Sequence, residues 1–352
     1  MSDDIQTVLI YGAYGYTGEL VTRAAVEAGL DPIVAGRREG PLRALAADLG
    51  LDHRAFDLDG PVAASLQDVD VVAHCAGPFV DTYKSMVDGC LAAGTHYLDI
   101  TGEISVLEGI ARYDDLAADA GLMFLPGAGF DVVPSDCLAA RLHDRLPDAD
   151  RLTLVFDVGD MEASAGTLKT MVEGLGEGAA VREDGVVRPV PFGERTRVID
   201  TGRGPQTMTA FPWGDVATAY HSTGIPNVEV YVPVSTNGLR ALRALNVLSP
   251  VFDSGPVKRG LKWFVERTVE GPDERKRETG SATFWGEATD GTETVRSRVH
   301  TPESYRFTAA SVVEILSRVV DGDVTPGSQT PASAYGSDLV LSMEGCSFED
   351  LD

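Results

Sequence analysis

Lysine is scarce in this chain of 352 residues, with five lysines among 29 cationic residues against 54 acidic ones. The formal net charge is −25. An acidic surface repels phosphates and anionic headgroups, so neither a nucleic acid nor a membrane surface is an expected partner. Such a surface is also typical of proteins adapted to high salt, and we expect structure to be lost when salt is removed.

Cysteine is also sparse, and its four residues lie far apart without a CxxC or Cys/His pattern. This spacing favours free thiols in a reducing cytosol, and we predict neither a disulfide scaffold nor a metal site. No apolar run reaches the ~18 residues of a membrane span, and the acidic first residues lack the features of a secretory signal. We therefore expect a cytoplasmic protein with no transmembrane span.

The apolar content of 43% is that of a globular protein. The chain is longer than a single hydrophobic core usually serves, so we expect two domains. Residues 1–128 alternate short apolar runs with helical patterns, which predicts an α/β fold, a doubly wound parallel Rossmann sheet. Predicted strands are 7–11, 32–36, 53–57, 69–74, 96–100 and 122–125. Predicted helices are 16–28, 39–49, 82–93 and 105–120.

Residues 129–300 predict a second, α+β domain for substrate binding and dimerisation. A helix is expected from Pro134 to Leu146, followed by strands, and we expect adjacent strands this close in the sequence to pair antiparallel. Those strands are 151–158, 195–201, 206–212, 228–234, 278–289 and 293–300. Residues 301–352, with a helix to about Val320, are expected to return to the first domain.

A glycine-rich turn follows the first predicted strand and precedes a helix. Gly12 permits a tight turn, Gly15 permits close approach to a pyrophosphate, and Gly18 permits close helix packing. The spacing is GxxGxxG, and the strand–turn–helix context predicts a nucleotide site there. The candidate cofactor residues in this turn are Gly12, Tyr14, Gly15, Tyr16, Thr17 and Gly18.

The second strand ends in Arg37 and Arg38, where NAD enzymes place an acid for the ribose 2′-hydroxyl. Two guanidinium groups suit a 2′-phosphate and predict NADP(H), although both could be solvated surface cations. Asp57 follows the third strand and could flank the adenine. The small residues Ala76, Gly77 and Pro78 follow the fourth strand, where they could lie against the nicotinamide ribose.

Three residues are candidate catalytic groups. Asp99 and Glu103 close the fifth strand and could act as acid, base or substrate anchor, or could instead cap a helix. Tyr83 could donate a proton, although an ordinary packed tyrosine is the simpler account. Asp131 and Ser135 could meet substrate or cap the helix after Pro134.

Other chemistries are weaker. Cys137, near a helix start, leaves open a semialdehyde dehydrogenase acting through a thioester. None of the ten tyrosines is followed four residues later by lysine, which excludes the YxxxK proton relay. His96 could act in the cleft, but a satisfied core imidazole is the more common role.

Several segments together resemble the saccharopine dehydrogenase-like oxidoreductases, in the branch that includes trans-acting enoyl reductases. They are GAYGYTGEL, AGRR, CAGPF, YLDITGE, GFDVVPSD, TGIPNVEVY and TPASAYG. The resemblance implies NADP at the glycine-rich turn, Arg37, Arg38 and Ala76–Pro78, and it implies a homodimer. It also implies hydride transfer to or from a small-molecule substrate, with an acyl or lipid-linked one as an option.

Two alternatives stay open at this point. The first is a non-enzymatic NADP-binding redox sensor, because no strong acid/base pair is evident. The second is a lipid contact at residues 245–265, because the corresponding segment is hydrophobic in some members of the family. Here the segment carries cations and two prolines, so we expect a buried or dimer-facing helix.

Overall fold

A computed structural model of the chain describes residues 7–157, 178–252, 254–268 and 279–351, with Leu168, Val172 and Gly174. The chain divides into two compact units. The first combines the chain up to Val133 with Ser304–Glu344, and the second combines Pro134–Glu303 with the residues from Gly345 onward.

The first unit contains a parallel sheet of seven strands, in the order β15-β6-β5-β4-β1-β2-β3. The chain reverses direction across the sheet at β1 and β4, which is the switch point where doubly wound folds bind ligands. The predicted Rossmann fold is confirmed. The strands are β1 Val8–Tyr11, β2 Ile33–Gly36, β3 His53–Ala55, β4 Val71–His74, β5 His96–Asp99, β6 Met123–Leu125 and β15 Gly327–Ser328.

Helices cover this sheet and bury an apolar core that includes Leu9, Val72, Met86 and Ile110. The helices up to residue 119 are α1 Tyr16–Glu27, α2 Glu39–Leu49, α3 Val62–Ser65, α4 Phe79–Ala93, α5 Ile104–Ala111 and α6 Asp114–Asp119. From the C-terminal part come α11 Ser304–Val320, α12 Pro331–Tyr335 and a 3-10 helix at Ser337–Ser342.

Two predicted helices have wrong bounds, each for a physical reason. The helix predicted at 82–93 begins at Phe79, because the distant Glu103 carboxylate accepts its first amides. The helix predicted at 105–120 is two helices that meet at Tyr113, where Asp114 and Asp115 favour a new helix start. Neither feature follows from apolar periodicity.

The second unit contains a mixed sheet whose main path is β10-β11-β12-β7-β13-β14-β16, with β8 pairing β12 and β9. Its strands are β7 Arg151–Asp157, β8 Ala179–Glu183, β9 Val186–Val190, β10 Thr196–Asp200, β11 Pro205–Ala210, β12 Asn227–Pro233, β13 Ser281–Thr289, β14 Thr294–Pro302 and β16 Ser347–Asp350. The α+β class is confirmed. Strands that follow one another closely in the sequence pair antiparallel as expected, as in β10–β11 and β13–β14, whereas β7 and β12, which a long connection separates, run parallel.

Helices of the second unit are α7 Val133–Arg145, α8 Asp215–Thr223, α9 Thr236–Phe252 and α10 Gly255–Thr268. Helix α7 packs on β13 at Gly286, where an added methyl would come within 2.6 Å of Leu142 Cδ1. Of the two expectations for the segment 245–265, a buried helix does not hold for three of its described side chains, whereas a dimer-facing helix stays a prediction. Val247, Trp263 and Phe264 are 80%, 56% and 59% exposed. Among the described residues, no helix combines the length and apolar character needed to span a membrane.

Candidate nucleotide site at the carboxyl edge of the parallel sheet

The glycine-rich turn between β1 and α1 is made of closely packed backbone. Gly12 has φ +84° and donates its amide to the Ala35 carbonyl at 2.8 Å. An added methyl at Gly12 would come within 2.9 Å of Ala76 Cβ, and one at Gly18 would overlap the Gly12 carbonyl oxygen. Only glycine fits at these two positions.

Helix α1 begins directly after this turn, with Gly15 as its N-cap and no side-chain cap at that position. The first amides of a helix have no intrahelical acceptor, and the helix dipole places partial positive charge at this end. The turn and helix start therefore form a cradle that fits a pyrophosphate.

Tyr14 and Arg38 form a layered structure beside the cradle. The Tyr14 ring lies so close to Gly36 that an added methyl there would come within 2.8 Å of a ring carbon. The Arg38 guanidinium lies 4.7 Å from the centre of the same ring. This cation–π contact fixes the position of Arg38, one of the two arginines predicted to bind the 2′-phosphate, at the end of β2.

The second predicted arginine, Arg37, lies close enough to Tyr11 for its charge to act on that hydroxyl. Burial, then the charge of Asp57, raises the pKa of Tyr11 to about 12, and Arg37 opposes that rise. The Tyr11 hydroxyl donates to the Phe56 carbonyl at 3.1 Å. Asp57 accepts from the Asp59 amide at 3.3 Å. The structure thus brings Arg37, Tyr11 and Asp57 together at the ends of β1–β3.

The loop after β4 carries Ala76, Gly77 and Pro78 to the turn at Gly12. On its far side, Glu103 accepts the amides of Phe79 at 2.7 Å and Val80 at 2.9 Å. Burial raises the pKa of Glu103, and these hydrogen bonds oppose the rise. The carboxylate stabilises the start of α4, a different helix from the one that follows Glu103 in sequence.

Asp99 is a buried carboxylate with a hydrogen-bond partner on each oxygen. Its Oδ1 accepts the amides of Thr101 and Gly127, both at 2.9 Å, and its Oδ2 accepts the Tyr97 hydroxyl at 2.7 Å. Burial raises its pKa to about 6, and these bonds oppose the rise. Asp99 therefore joins the loops after β5 and β6.

Helix α11 holds the loop after β6 from the other side. Thr308 Oγ1 accepts the Phe130 amide at 3.1 Å, and Ser311 donates to the Ala128 carbonyl at 2.7 Å. Sequence reasoning missed both residues, because 178 and 183 positions separate the bonded pairs. The Tyr305 ring also meets Tyr16 edge to face at 4.9 Å.

Asp131 ends this loop. A methyl group added to Gly102 would lie 3.0 Å from Asp131 Cβ and 3.3 Å from Asp131 Oδ2, so the Asp131 side chain packs directly on Gly102. Burial raises the pKa of Asp131 to about 6. A carboxyl group with that pKa exchanges protons near neutral pH.

Other predicted residues lie apart from this group. The Tyr83 hydroxyl would lie within 2.6 Å of a methyl on Gly109, so its ring packs between α4 and α5. Cys137 is a buried thiol inside α7, and Ser135 is buried in the first turn of that helix. His96 Nδ1 accepts the Met123 amide at 2.9 Å. The catalytic assignment of Asp99, Glu103 and Tyr83 stays a prediction.

Among the described residues, no group of three or more His, Cys, Asp or Glu side chains is arranged to hold a metal ion.

The same region matches a known family. Residues 8–125 match the sequence model described as "Saccharopine dehydrogenase NADP binding domain". A Mycobacterium tuberculosis protein named as a candidate trans-acting enoyl reductase is 31% identical over 186 residues, which cover 48% of this chain and 44% of that protein. A Mycobacterium bovis protein named "Trans-acting enoyl reductase" is 25% identical, over 96% of this chain and 95% of the relative.

The fold is also that of a solved structure. The apo histidine-tagged saccharopine dehydrogenase (L-Glu forming) of Saccharomyces cerevisiae superposes with a TM-score of 0.65 at 13% identity. The match covers 99% of this chain and 100% of that one. The predicted resemblance and the NADP prediction are confirmed. Residues 8–125 are therefore an NADP-binding domain of the saccharopine dehydrogenase type, and the chain as a whole is similar to a trans-acting enoyl reductase.

Proposed function

We propose that the chain is an NADP(H)-dependent oxidoreductase that transfers a hydride to an activated alkene or a carbonyl group of a small-molecule substrate. The observation that carries the proposal is the backbone cradle at Gly12–Gly18 with Arg38 stacked beside it. Enoyl reduction is the specific version, suggested by the names of the mycobacterial relatives. A lipid-linked acyl substrate belongs to the same proposal.

Each part of the cofactor has a matching group in the first unit. The Gly12–Gly18 turn would hold the pyrophosphate through amides, and Arg38 with Arg37 would hold the 2′-phosphate. Asp57 would flank the adenine. Ala76, Gly77 and Pro78 would lie against the nicotinamide ribose.

When bound, NADPH supplies the hydride, and the protein has to hold the substrate and manage one proton. In our proposal Asp131 exchanges that proton, because its pKa of about 6 leaves both forms populated near neutral pH. Asp99 and Glu103 act as positioning residues, since amides and a phenol already occupy their carboxylates. The burial of Cys137 disfavours a thioester route.

The first test is a fluorescence titration of NADPH against NADH at high salt, using wild type, Arg37→Ala and Arg38→Ala. A charge-assisted hydrogen bond contributes about 1.5–3 kcal/mol, so we expect each change to weaken NADPH binding by ~10–100-fold and to leave NADH binding unchanged. Arg43→Ala is the matched control, because Arg43 lies on α2 and its side chain is 70% exposed. Equal or absent binding of both cofactors would refute the proposal.

The second test is turnover. NADPH oxidation is followed with a panel of α,β-unsaturated thioesters and carbonyl compounds. Oxidation with an unsaturated thioester supports enoyl reduction, whereas tight binding without oxidation by any acceptor indicates a redox sensor. Asp131→Asn should lower kcat by more than about tenfold with little change in the NADPH Kd. An unchanged kcat would remove Asp131 from the mechanism.

A further inference from the structure

His74 is a polar residue at the end of the buried strand β4, where apolar residues are usual. Its side chain is fully buried and lies among the rings of Tyr11 at 5.6 Å, Phe79 at 5.3 Å and Tyr97 at 6.3 Å. Its Nε2 lies 3.0 Å from Thr82 Oγ1. Burial of an imidazole is unfavourable unless its polar atoms find partners, so this hydrogen bond is the polar feature to explain.

The Thr82 hydroxyl connects His74 to the loop after β4. It lies 3.0 Å from the Ala76 carbonyl and 3.2 Å from the Pro78 carbonyl, in donor geometry to both. A hydroxyl has one hydrogen, and carbonyl groups cannot donate. The Thr82 hydrogen therefore goes to the loop carbonyls.

This hydrogen count assigns the state of the histidine. Because Thr82 donates to the loop, His74 Nε2 must carry a hydrogen and donate to Thr82. The other nitrogen, Nδ1, is then an unprotonated acceptor, and it has no hydrogen-bond partner among the described residues. The opposite tautomer would bury an unpaired N–H at Nδ1 and take the Thr82 hydrogen away from the Ala76 carbonyl, which costs more. Burial lowers the pKa of His74 to about 3, so the ring stays neutral.

The loop that Thr82 holds lies against the nucleotide turn. The backbone carbon of Cys75 and the Cβ of Ala76 would both lie 2.9 Å from a methyl placed on Gly12. Little space separates the two loops, so a displacement of Ala76 would displace the Gly12 turn as well. Glu103 holds the same loop beyond Pro78, through the Phe79 and Val80 amides.

We propose that the buried His74 and the half-buried Thr82 are a pair of positioning residues that fixes the Ala76–Pro78 loop against the Gly12 turn and thereby sets the affinity for NADPH. This inference rests on the proposed function. His74 donates to Thr82, Thr82 donates to the loop carbonyls, and neither side chain has to touch the cofactor.

The decisive measurement is the NADPH Kd, by fluorescence titration, of Thr82→Val, Thr82→Ser and Thr95→Val. Loss of one hydrogen bond corresponds to about 0.5–1.5 kcal/mol, so Thr82→Val should raise the Kd by ~3–10-fold, with kcat changed by less than about twofold. Thr82→Ser keeps the hydroxyl and should restore wild-type affinity. Thr95 is the matched control, because its buried hydroxyl donates to the Val69 carbonyl at 2.8 Å, outside this loop.

The outcomes separate the two proposals. If wild type binds NADPH and Thr82→Val binds it equally well, the positioning role is wrong and the proposed function stands. If Thr95→Val weakens binding as much as Thr82→Val, the effect is general loss of stability and the positioning role is again wrong. If wild type does not bind NADPH, both proposals fail.

A spectroscopic measurement tests the pair without cofactor. In a long-range ¹H–¹⁵N spectrum of the histidine side chains, the His74 ring should be protonated at Nε2 and unprotonated at Nδ1, unchanged from pH 5 to 8. His74→Phe assigns that signal by removing it, and Thr82→Val should shift it. A signal that titrates in this range, or that shows the opposite tautomer, would overturn the assignment.

Discussion

The loops at the carboxyl edge of the parallel sheet and the outer strands of the mixed sheet are stabilised in different ways. In the first unit, the buried Asp99 and Thr308 and the partly buried Glu103 accept hydrogen bonds from backbone amides. In the second unit, exposed ion pairs join strands and helices. Asp350 on β16 bonds Arg141 at 2.7 Å and Arg145 at 3.1 Å.

The difference indicates what each region has to do. Salt hardly weakens a hydrogen bond between a buried carboxylate and a backbone amide. Such a bond holds a loop in a defined position, as a ligand site requires. An exposed ion pair contributes about 0–1 kcal/mol and weakens as salt rises. We therefore expect substitutions in the first region to change cofactor binding, and substitutions in the second to change stability alone.

The largest effect should come from Gly18→Ala. The added methyl would overlap the Gly12 carbonyl oxygen, which cannot easily move because the Gly12 amide is bonded to Ala35. Overpacking of this kind costs about 3 kcal/mol, and we expect NADPH affinity to fall by more than about tenfold. Chemical unfolding and fluorescence titration measure the two quantities.

The matched control for that change is Gly40→Ala. Gly40 also lies in the first turn of a helix, but an added methyl there would have nothing within 4 Å. Replacing this glycine should stabilise the protein by up to about 1 kcal/mol, without effect on NADPH. Equal destabilisation by both substitutions would contradict the role given to Gly18.

Next in size is the pH dependence caused by Asp99. Its folded pKa of about 6 lies above the unfolded value near 4, so the folded state holds the proton more tightly. The contribution of Asp99 to the free energy of unfolding is therefore highest below about pH 4, and it falls by about 3 kcal/mol as pH rises to 6. Asp131 adds a fall in the same window.

Asp99→Asn should keep the two amide bonds to Oδ1 and remove its part of this dependence. The slope of the unfolding free energy between pH 4 and 6 should therefore fall by roughly half, as measured by urea unfolding across this range. Asp131→Asn should have a comparable effect on the slope. An unchanged slope in Asp99→Asn would mean that Asp99 is ionised in the folded protein at pH 4.

The smallest effect should come from Asp350→Asn in the second unit. Hydrogen bonding to Arg141 is the first cause that lowers the pKa of Asp350, to about 2, so its contribution is present above pH 4 and is lost as pH falls to 2. Because the side chain is 40% exposed, we expect a loss of about 1 kcal/mol, which shrinks in molar KCl. NADPH affinity should not change, and a change would contradict the division between the two regions.

Prediction from sequence was most accurate where each strand is buried on both faces and punctuated by glycine. The bounds of β1 to β6 lie within two residues of those expected. Except in β3, which is only partly buried, a mainly apolar run is the local signal that marks them. In the second unit the hairpin β8–β9 and the strand β16 were missed. Their burial is interrupted by exposed residues such as Val186, so no clear alternation marks them.

The sequence by itself determined the nucleotide turn, because Gly12, Gly15 and Gly18 lie close together in the chain and the turn they make is local. It also determined the two arginines at the end of β2. Tertiary structure alone decided what the carboxylates do: Glu103 reaches across 24 positions to Phe79, and Thr308 reaches across 178 to Phe130. A hydrogen bond between distant residues depends on how the sheet and helices pack, and no pattern along the chain encodes that distance.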